Sequence, residues 1–326
     1  MRQARAYWTT APGQGEIRTE PLRARGPDDV LVRTLASGVS RGTELLVHRH
    51  HVPATVADTM RAPHQVGELP GPVKYGYLAV GLVEEGPPEL VGRRIFCLHP
   101  HQDRFVVAGT DVVPVPDDVP TDRAVLAGTV ETAVNALWDA APRIGDRVAV
   151  VGAGMVGLGL ALLLARHPLA RLEVIETDPV RRGLVTRLGL TSVSPDAAHA
   201  DCDLAFHTSA TAPGLTTALR LLGIEGEVVE LSWFGEREPA VPLGADFHAR
   251  RLAIRASQVG RVSPSRAARR SYADRLAIAL DALRDSAFDA LLAPPVDLDD
   301  LPATIAAMAE GRPDVLCQVV HYPRKG

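Results

Sequence analysis

Residues 147–157, RVAVVGAGMVG, constrain the fold of this chain more than any other segment. A run of valines and alanine predicts a buried strand. Glycines at 152, 154 and 157 follow directly, in G-x-G-x-x-G spacing, at the start of an apolar helical run. Each glycine answers a separate steric demand: Gly152 lets the chain turn tightly, Gly154 omits the Cβ that would obstruct a pyrophosphate, and Gly157 lets helix and strand pack closely. The free N–H groups of the first helical turn, around Met155 and Val156, then face phosphate with the positive helix end behind them. Glu176 ends the next predicted strand, LEVIE at 172–176, where a carboxylate accepts hydrogen bonds from ribose hydroxyls. Together these features predict a dinucleotide site. Glu176 repels a 2′-phosphate, so NAD is favoured over NADP, although Arg181 and Arg182 stand close by. Arg181 is expected either near the adenosine ribose or on a solvated helix face.

Further strands are read at DLAFHT (203–208), GEVVELS (226–232) and LAIRAS (252–257), with helical or loop segments between them. That alternation predicts a parallel α/β sheet. Residues 1–120 read differently. DDVLVRTLASGVS, YLAVGLVEEG, GRRIFCLHP, DRFVVAG and DVVPVP are short strands divided by Gly, Pro and Asp, as in a compact β-rich barrel or sandwich. Helical spacing runs from Asp122 to Ala140. Near the end, Tyr272, Leu276, Leu280 and Leu283 share one helix face, LPATIAAMAEG forms another helix, and VLCQVVHY is a closing strand expected to return to the first domain. The expected divisions are a first domain over 1–120, a dinucleotide-binding domain over 121–265, and a returning segment over 266–326.

Composition narrows the function classes. A chain of 326 residues is long enough for two cores, and its formal charge of −4 argues against coating nucleic acid or an acidic membrane. A small-molecule partner is expected. Cys97, Cys202 and Cys317 are too dispersed for a disulfide framework or a thiolate zinc site, and a reducing cytoplasm is the expected location. The first residues lack the apolar core of a signal peptide, and no apolar run is long enough to span a bilayer.

The runs SGVSRGTE (37–44), GYLAVGLVEEG (76–86), ETAVNALW (131–138), VGAGMVG (151–157) and VIETDPVRR (174–182) resemble the medium-chain dehydrogenase/reductase superfamily along essentially the whole chain. Within it, SGVSRGTE and the Gly76-Tyr77 pair are most similar to the bacteriochlorophyllide a dehydrogenase-type branch. The resemblance implies an α/β protein: a GroES-like β-barrel catalytic domain plus a Rossmann doubly wound parallel sheet, with a cleft between them. It also implies NAD(P)-dependent oxidoreductase activity and a homo-oligomer, dimer or tetramer. Where zinc-using members place their ligands, this chain has Ser40, Tyr77 and Gly128, with Arg41 competing with Ser40 for the first position. None of these suits a tetrahedral zinc site, so no zinc is expected.

Hydride exchange with a carbonyl carbon still requires charge on oxygen to be stabilised. The resemblance places Tyr77 where a zinc-binding histidine would stand, and a phenol can pass a proton to a forming alkoxide. Tyr77 is therefore the expected catalytic acid, with Ser40 as a second donor, Glu44 orienting its neighbours, and Lys74 and Arg41 as possible support. The plainer reading is that Tyr77 only fills the barrel mouth. Arg41 and Thr132 are assigned to the cofactor, Thr132 lying against the nicotinamide, while Glu131 faces either cofactor or substrate. Ser232 and Gln258, in the loops SWFG and SQVG, are expected near the carboxamide. Metal binding is not expected at the histidines of VHRHHVP and LHPHQ. His51 or His101 is a candidate for substrate contact or proton relay, and His207 for a cofactor-side neighbour. The expected function is a zinc-independent oxidoreductase acting on a secondary alcohol or ketone of a specialised metabolite. The alternatives are an enone or quinone reductase and a non-catalytic dinucleotide-binding protein.

Overall fold

The computed structural model describes residues 2–244, 246–311 and 315–322. The chain divides into two compact units. The first comprises Met1–Gly128, Leu276–Arg284 and Leu291–Gly326, and the second Thr129–Arg275 with Asp285–Ala290. Relative to the expected divisions, 121–128 falls with the first unit, and 266–275 and 285–290 fall with the second.

The first unit is built on the strand Asp29–Ser40, whose mostly apolar sequence DVLVRTLASGVS is buried along nearly its whole length. It pairs antiparallel with Ala79–Glu85, with Arg104–Ala108 and, near its C-terminal end, with Cys317–His321. The last pairing sets Cys317 opposite Ser40 and His321 opposite Ala36, so the closing strand does return to the first unit. Leu292–Asp297 lies parallel to it on the outer side, and Arg94–Cys97 and Val112–Pro114 complete the seven-stranded sheet. A four-stranded sheet, ordered Gln14–Pro21, Gln3–Ala11, Val73–Lys74, Val66–Gly67, forms the other layer. The N-terminal hairpin in that sheet has no counterpart in the sequence reading. Its outer strand, QGEIRTEP, carries too many charges to show an apolar pattern.

The second unit is a six-stranded sheet, all parallel, ordered Ser192–Val193, Arg171–Ile175, Arg147–Val151, Cys202–His207, Leu222–Glu230, Ala253–Ala256. Numbered along the chain this order is 3-2-1-4-5-6, with the reversal between Arg147–Val151 and Cys202–His207. Register aligns Ile175, Val151, His207, Glu230 and Ala256 in one row at the C-terminal edge. One face of the sheet packs Ala149, Val151, Ala205 and Val228 against Leu215, Ala218 and Leu219 of the helix Ala212–Leu221. The two-residue strand Ser192–Val193 is too short to register as a pattern in sequence.

In the helix Tyr272–Ala282 and just beyond it, Leu276, Leu280 and Leu283 are buried as expected, whereas Tyr272 is half exposed and donates its hydroxyl to the Gly260 carbonyl at 2.8 Å. Its ring lies against Arg275, whose guanidinium carbon is 5.3 Å from the ring centre. The Arg275 side chain, 1% exposed, fills the interior and binds Glu131 Oε1 at 2.9 Å, Asn135 Oδ1 at 2.5 Å and the Val259 carbonyl at 2.5 Å. Glu131 thus answers a buried arginine in its own unit and is not directed at cofactor or substrate. Burial pushes its carboxyl up to about 7, against the pull of the guanidinium. Removing one member of a buried pair strands the other charge. Arg275→Met is expected to cost about 3–5 kcal/mol, and the double variant Glu131→Leu/Arg275→Met to recover much of that loss, both read from urea unfolding.

Candidate functional site

In the glycine turn the three positions differ as their roles require. Gly152 has φ +110°, and a Cβ there would stand 2.9 Å from the Ser209 nitrogen. At Gly157 a Cβ would lie 2.0 Å from the Gly152 carbonyl oxygen, which leaves the helix no room to carry a side chain. Gly154, which caps the helix Met155–Leu164, has nothing within 4 Å of the same added atom. Two glycines are therefore required by packing and the third keeps space open. The first-turn N–H groups of an α-helix have no intrahelical acceptor, so those of Met155 and Val156 are available to an anion above Gly154. The chain fits a pyrophosphate at this turn.

Glu176 follows directly on the strand Arg171–Ile175, but its carboxylate is largely committed within the protein. One oxygen accepts from the Ala153 N–H at 2.8 Å, and the other from the Asp178 N–H at 2.9 Å and the Thr177 hydroxyl at 3.2 Å. A carboxylate has about four acceptor sites, so capacity for a ribose hydroxyl is narrow. Glu176 first ties the glycine turn to the neighbouring strand. Arg182 is directed to backbone, its Nη1 donating to the carbonyls of Glu176 at 2.9 Å and Thr177 at 2.7 Å. Arg181 lies in the same helix, Pro179–Arg187.

Ser232 knots together the ends of two neighbouring strands: its N–H donates to Glu230 Oε1 at 2.7 Å and its Oγ accepts from the Ala210 N–H at 3.0 Å. Gln258 lies just beyond the strand Ala253–Ala256, and Thr132 within the helix Ala127–Ala140. Arg41, in the first unit, reaches the Val315 carbonyl at 3.4 Å.

The three expected catalytic residues come together in the first unit. Ser40 caps the helix Arg41–His48, yet its hydroxyl makes no cap bond. Glu44, one turn on, folds back to accept the Ser40 N–H at 2.7 Å. The Ser40 hydroxyl instead accepts the Tyr77 hydroxyl at 2.6 Å. Burial, with the Glu44 charge nearby, pushes the Tyr77 phenol up to about 12. Lys74 does not support Tyr77: its ammonium is buried between Glu20 and the Gln102 side chain. The other Glu44 oxygen meets His101 Nε2 at 2.9 Å. Ser37 Oγ lies 2.7 Å from His101 Nδ1 and 2.8 Å from the Tyr322 hydroxyl. In the tautomer that donates Nε2–H to Glu44, a directed wire runs from Tyr322 through Ser37 and His101 to Glu44. His51, the other histidine considered for relay, is exposed.

A glycine at 128 contributes no donor, and a Cβ there would come within 2.6 Å of Leu78 Cδ2. With Ser40 and Tyr77 bonded to each other, these three positions do not fit a zinc ion. Among the described residues, no three His, Cys, Asp or Glu side chains gather as a metal site. No helix among them is long and apolar enough to cross a membrane.

No family model and no curated protein sequence matches the chain. Solved structures do. The chain is similar to 2R,3R-butanediol dehydrogenase of Bacillus subtilis (17% identity, 98% of this chain and 100% of that one, TM-score 0.77). It is also similar to L-idonate 5-dehydrogenase of Escherichia coli (13% identity, 98% of each chain, TM-score 0.80). A third likeness is to a short chain alcohol dehydrogenase of Escherichia coli complexed with NADH (15% identity, 99% and 100%, TM-score 0.76). At such identities the likeness establishes the fold: this chain has the two-domain α/β architecture of these dehydrogenases.

The glycine geometry separates two substitutions. Gly154→Ala is expected to leave the melting temperature nearly unchanged while weakening NADH binding about tenfold or more, read by fluorescence titration. Gly157→Ala is expected to lower the melting temperature by several degrees, because its Cβ meets backbone.

Proposed function

We propose that this protein is a zinc-independent, nicotinamide-dependent oxidoreductase that interconverts a secondary alcohol and a ketone, with NAD(H) preferred to NADP(H). The observation that carries this reading is Gly154: open space at the one position where a pyrophosphate needs it, in a turn whose other two glycines are jammed. The dinucleotide, when bound, supplies or accepts the hydride. The rest of the chemistry falls to side chains of the chain itself.

The Tyr77 hydroxyl donates to Ser40, so the Ser40 proton points onward to a substrate oxygen, and Tyr77 replaces that proton once it is given. A phenol near 12 is still a strong enough acid for an alkoxide and stays protonated at neutral pH. Glu44 holds the Ser40 backbone in place, and His101 in turn holds Glu44. The dehydrogenase names of the structural neighbours support a hydride-transfer reading; the specialised-metabolite substrate rests on the resemblance in sequence. The strand Ala253–Ala256, exposed at all four residues on the sheet edge, supports pairing with a second copy.

The test is transfer of deuteride from deuterated NADH to a panel of ketones, using protein dialysed against a strong chelator. Activity unaffected by chelation is expected; absence of transfer, or recovery only with added zinc, removes the reading. Because the donor is protonated below pH 12, ketone reduction should show no loss of this acid up to pH 10. Alcohol oxidation, which needs the phenolate, should accelerate with rising pH. Tyr77→Phe is expected to lower turnover about 100-fold and abolish that rise, with NADH affinity retained.

A further inference from the structure

A second constellation lies at the C-terminal edge of the parallel sheet, beside the glycine turn, where His207 and Ser232 were expected only as neighbours of the cofactor. Ser209 Oγ stands 2.8 Å from His207 Nε2, and His207 Nδ1 stands 2.7 Å from Glu230 Oε2. His207 is fully buried, and the other Glu230 oxygen is fixed by the Ser232 N–H at 2.7 Å. Strand register produces this alignment, because His207 and Glu230 are direct partners in the ladder. With the carboxylate accepting from Nδ1–H, Nε2 is left as the acceptor for the Ser209 proton. That is the relation of nucleophile, base and orienting acid found in serine hydrolysis, recognised by geometry and not by sequence order.

The surroundings are shaped to match. Ala210, next to Ser209, holds φ 52°, a left-handed conformation uncommon for a residue with a side chain, and its N–H is pinned to Ser232 Oγ. Thr211, which caps the helix Ala212–Leu221, has its hydroxyl 3.0 Å from Ser209 Oγ. A Cβ at Gly214 would fall 2.1 Å from that same oxygen, so the first turn of a ten-residue helix lies directly against the nucleophile. Charge developing on a substrate oxygen there would face the positive helix end. The Phe234 ring, centred 6.0 Å from the His207 ring, offers an apolar surface to a short acyl chain.

We infer that Ser209, His207 and Glu230 form a nucleophilic triad that cleaves small activated carboxylic esters. Ser209 Oγ attacks the carbonyl carbon as its proton passes to His207 Nε2. The tetrahedral intermediate expels the alcohol, which takes that proton, and leaves acyl-Ser209. Water then attacks the acyl carbon, with its proton passing through His207 back to Ser209 Oγ as the carboxylic acid departs.

The experiment uses p-nitrophenyl acetate with the full chain. A burst of p-nitrophenolate is expected, with an acetyl group located on Ser209 by peptide mass spectrometry. Ser209→Ala should abolish both at an unchanged melting temperature, and His207→Gln should slow the burst about 100-fold. Absence of a burst, or acetylation elsewhere that persists in Ser209→Ala, overturns the inference. Should Ser209→Ala fail to fold, phenylmethylsulfonyl fluoride on the unaltered chain decides the matter: a sulfonyl group on Ser209 supports the triad, and its absence there removes it.

Discussion

The strand Asp29–Ser40 is the constraint on which the first unit depends. It pairs with three other strands, one contributed by the last ten residues of the chain, and its end delivers both Ser37 and Ser40 to the polar cluster. A one-residue slip in any of these ladders would turn Ser37 and Ser40 to the opposite faces. The pairing with Cys317–His321 also explains why a residue as late as Tyr322 reaches Ser37. The site is anchored on this strand, with Glu44 supplied by the following helix and Tyr77 and His101 by segments between strands, and its hydroxyls and carboxylate keep fixed partners in a buried interior where each bond is strong and an unpaired group is costly.

The second unit uses backbone economy to the same end. Removing the side chain at Gly157 lets the helix approach the Gly152 carbonyl, and that approach aims the helix end at the space above Gly154. Glu176 then braces the turn by accepting the Ala153 N–H. One carboxylate thus ties the turn to the strand beside it. The same edge of the sheet carries the aligned pair His207 and Glu230, so parallel register sets two polar sites side by side.

The fold was largely legible in the sequence. Five of the six parallel strands were readable because each is a short apolar run flanked by turn residues, and the glycine spacing named the first crossover. Among the elements that escaped were ones without a local signature: the charged hairpin at the N-terminus, the two-residue strand Ser192–Val193 and the proline-interrupted strand Leu292–Asp297. Tyr77, Ser40 and Glu44 were found through the resemblance of their motifs, yet their mutual arrangement was not. Tyr77 was expected beside Lys74, Arg41 or Glu44 with Ser40 as a second donor, and the group its hydroxyl bonds is Ser40. Glu131 was read as facing a ligand, and instead neutralises Arg275.

The amino-acid order alone determined the strand and helix alternation, the turn that can accept a pyrophosphate, and the presence of serine, tyrosine and glycine at positions 40, 77 and 128. All of these are properties of residue type and short-range spacing. Tertiary structure decided which polar groups meet. The bonds that define the site join residues 37, 57, 64 and 285 positions apart, and only sheet register and helix packing bring such partners within reach. A buried polar side chain takes whichever partner the fold presents, because leaving it unpaired costs more than any local preference gains.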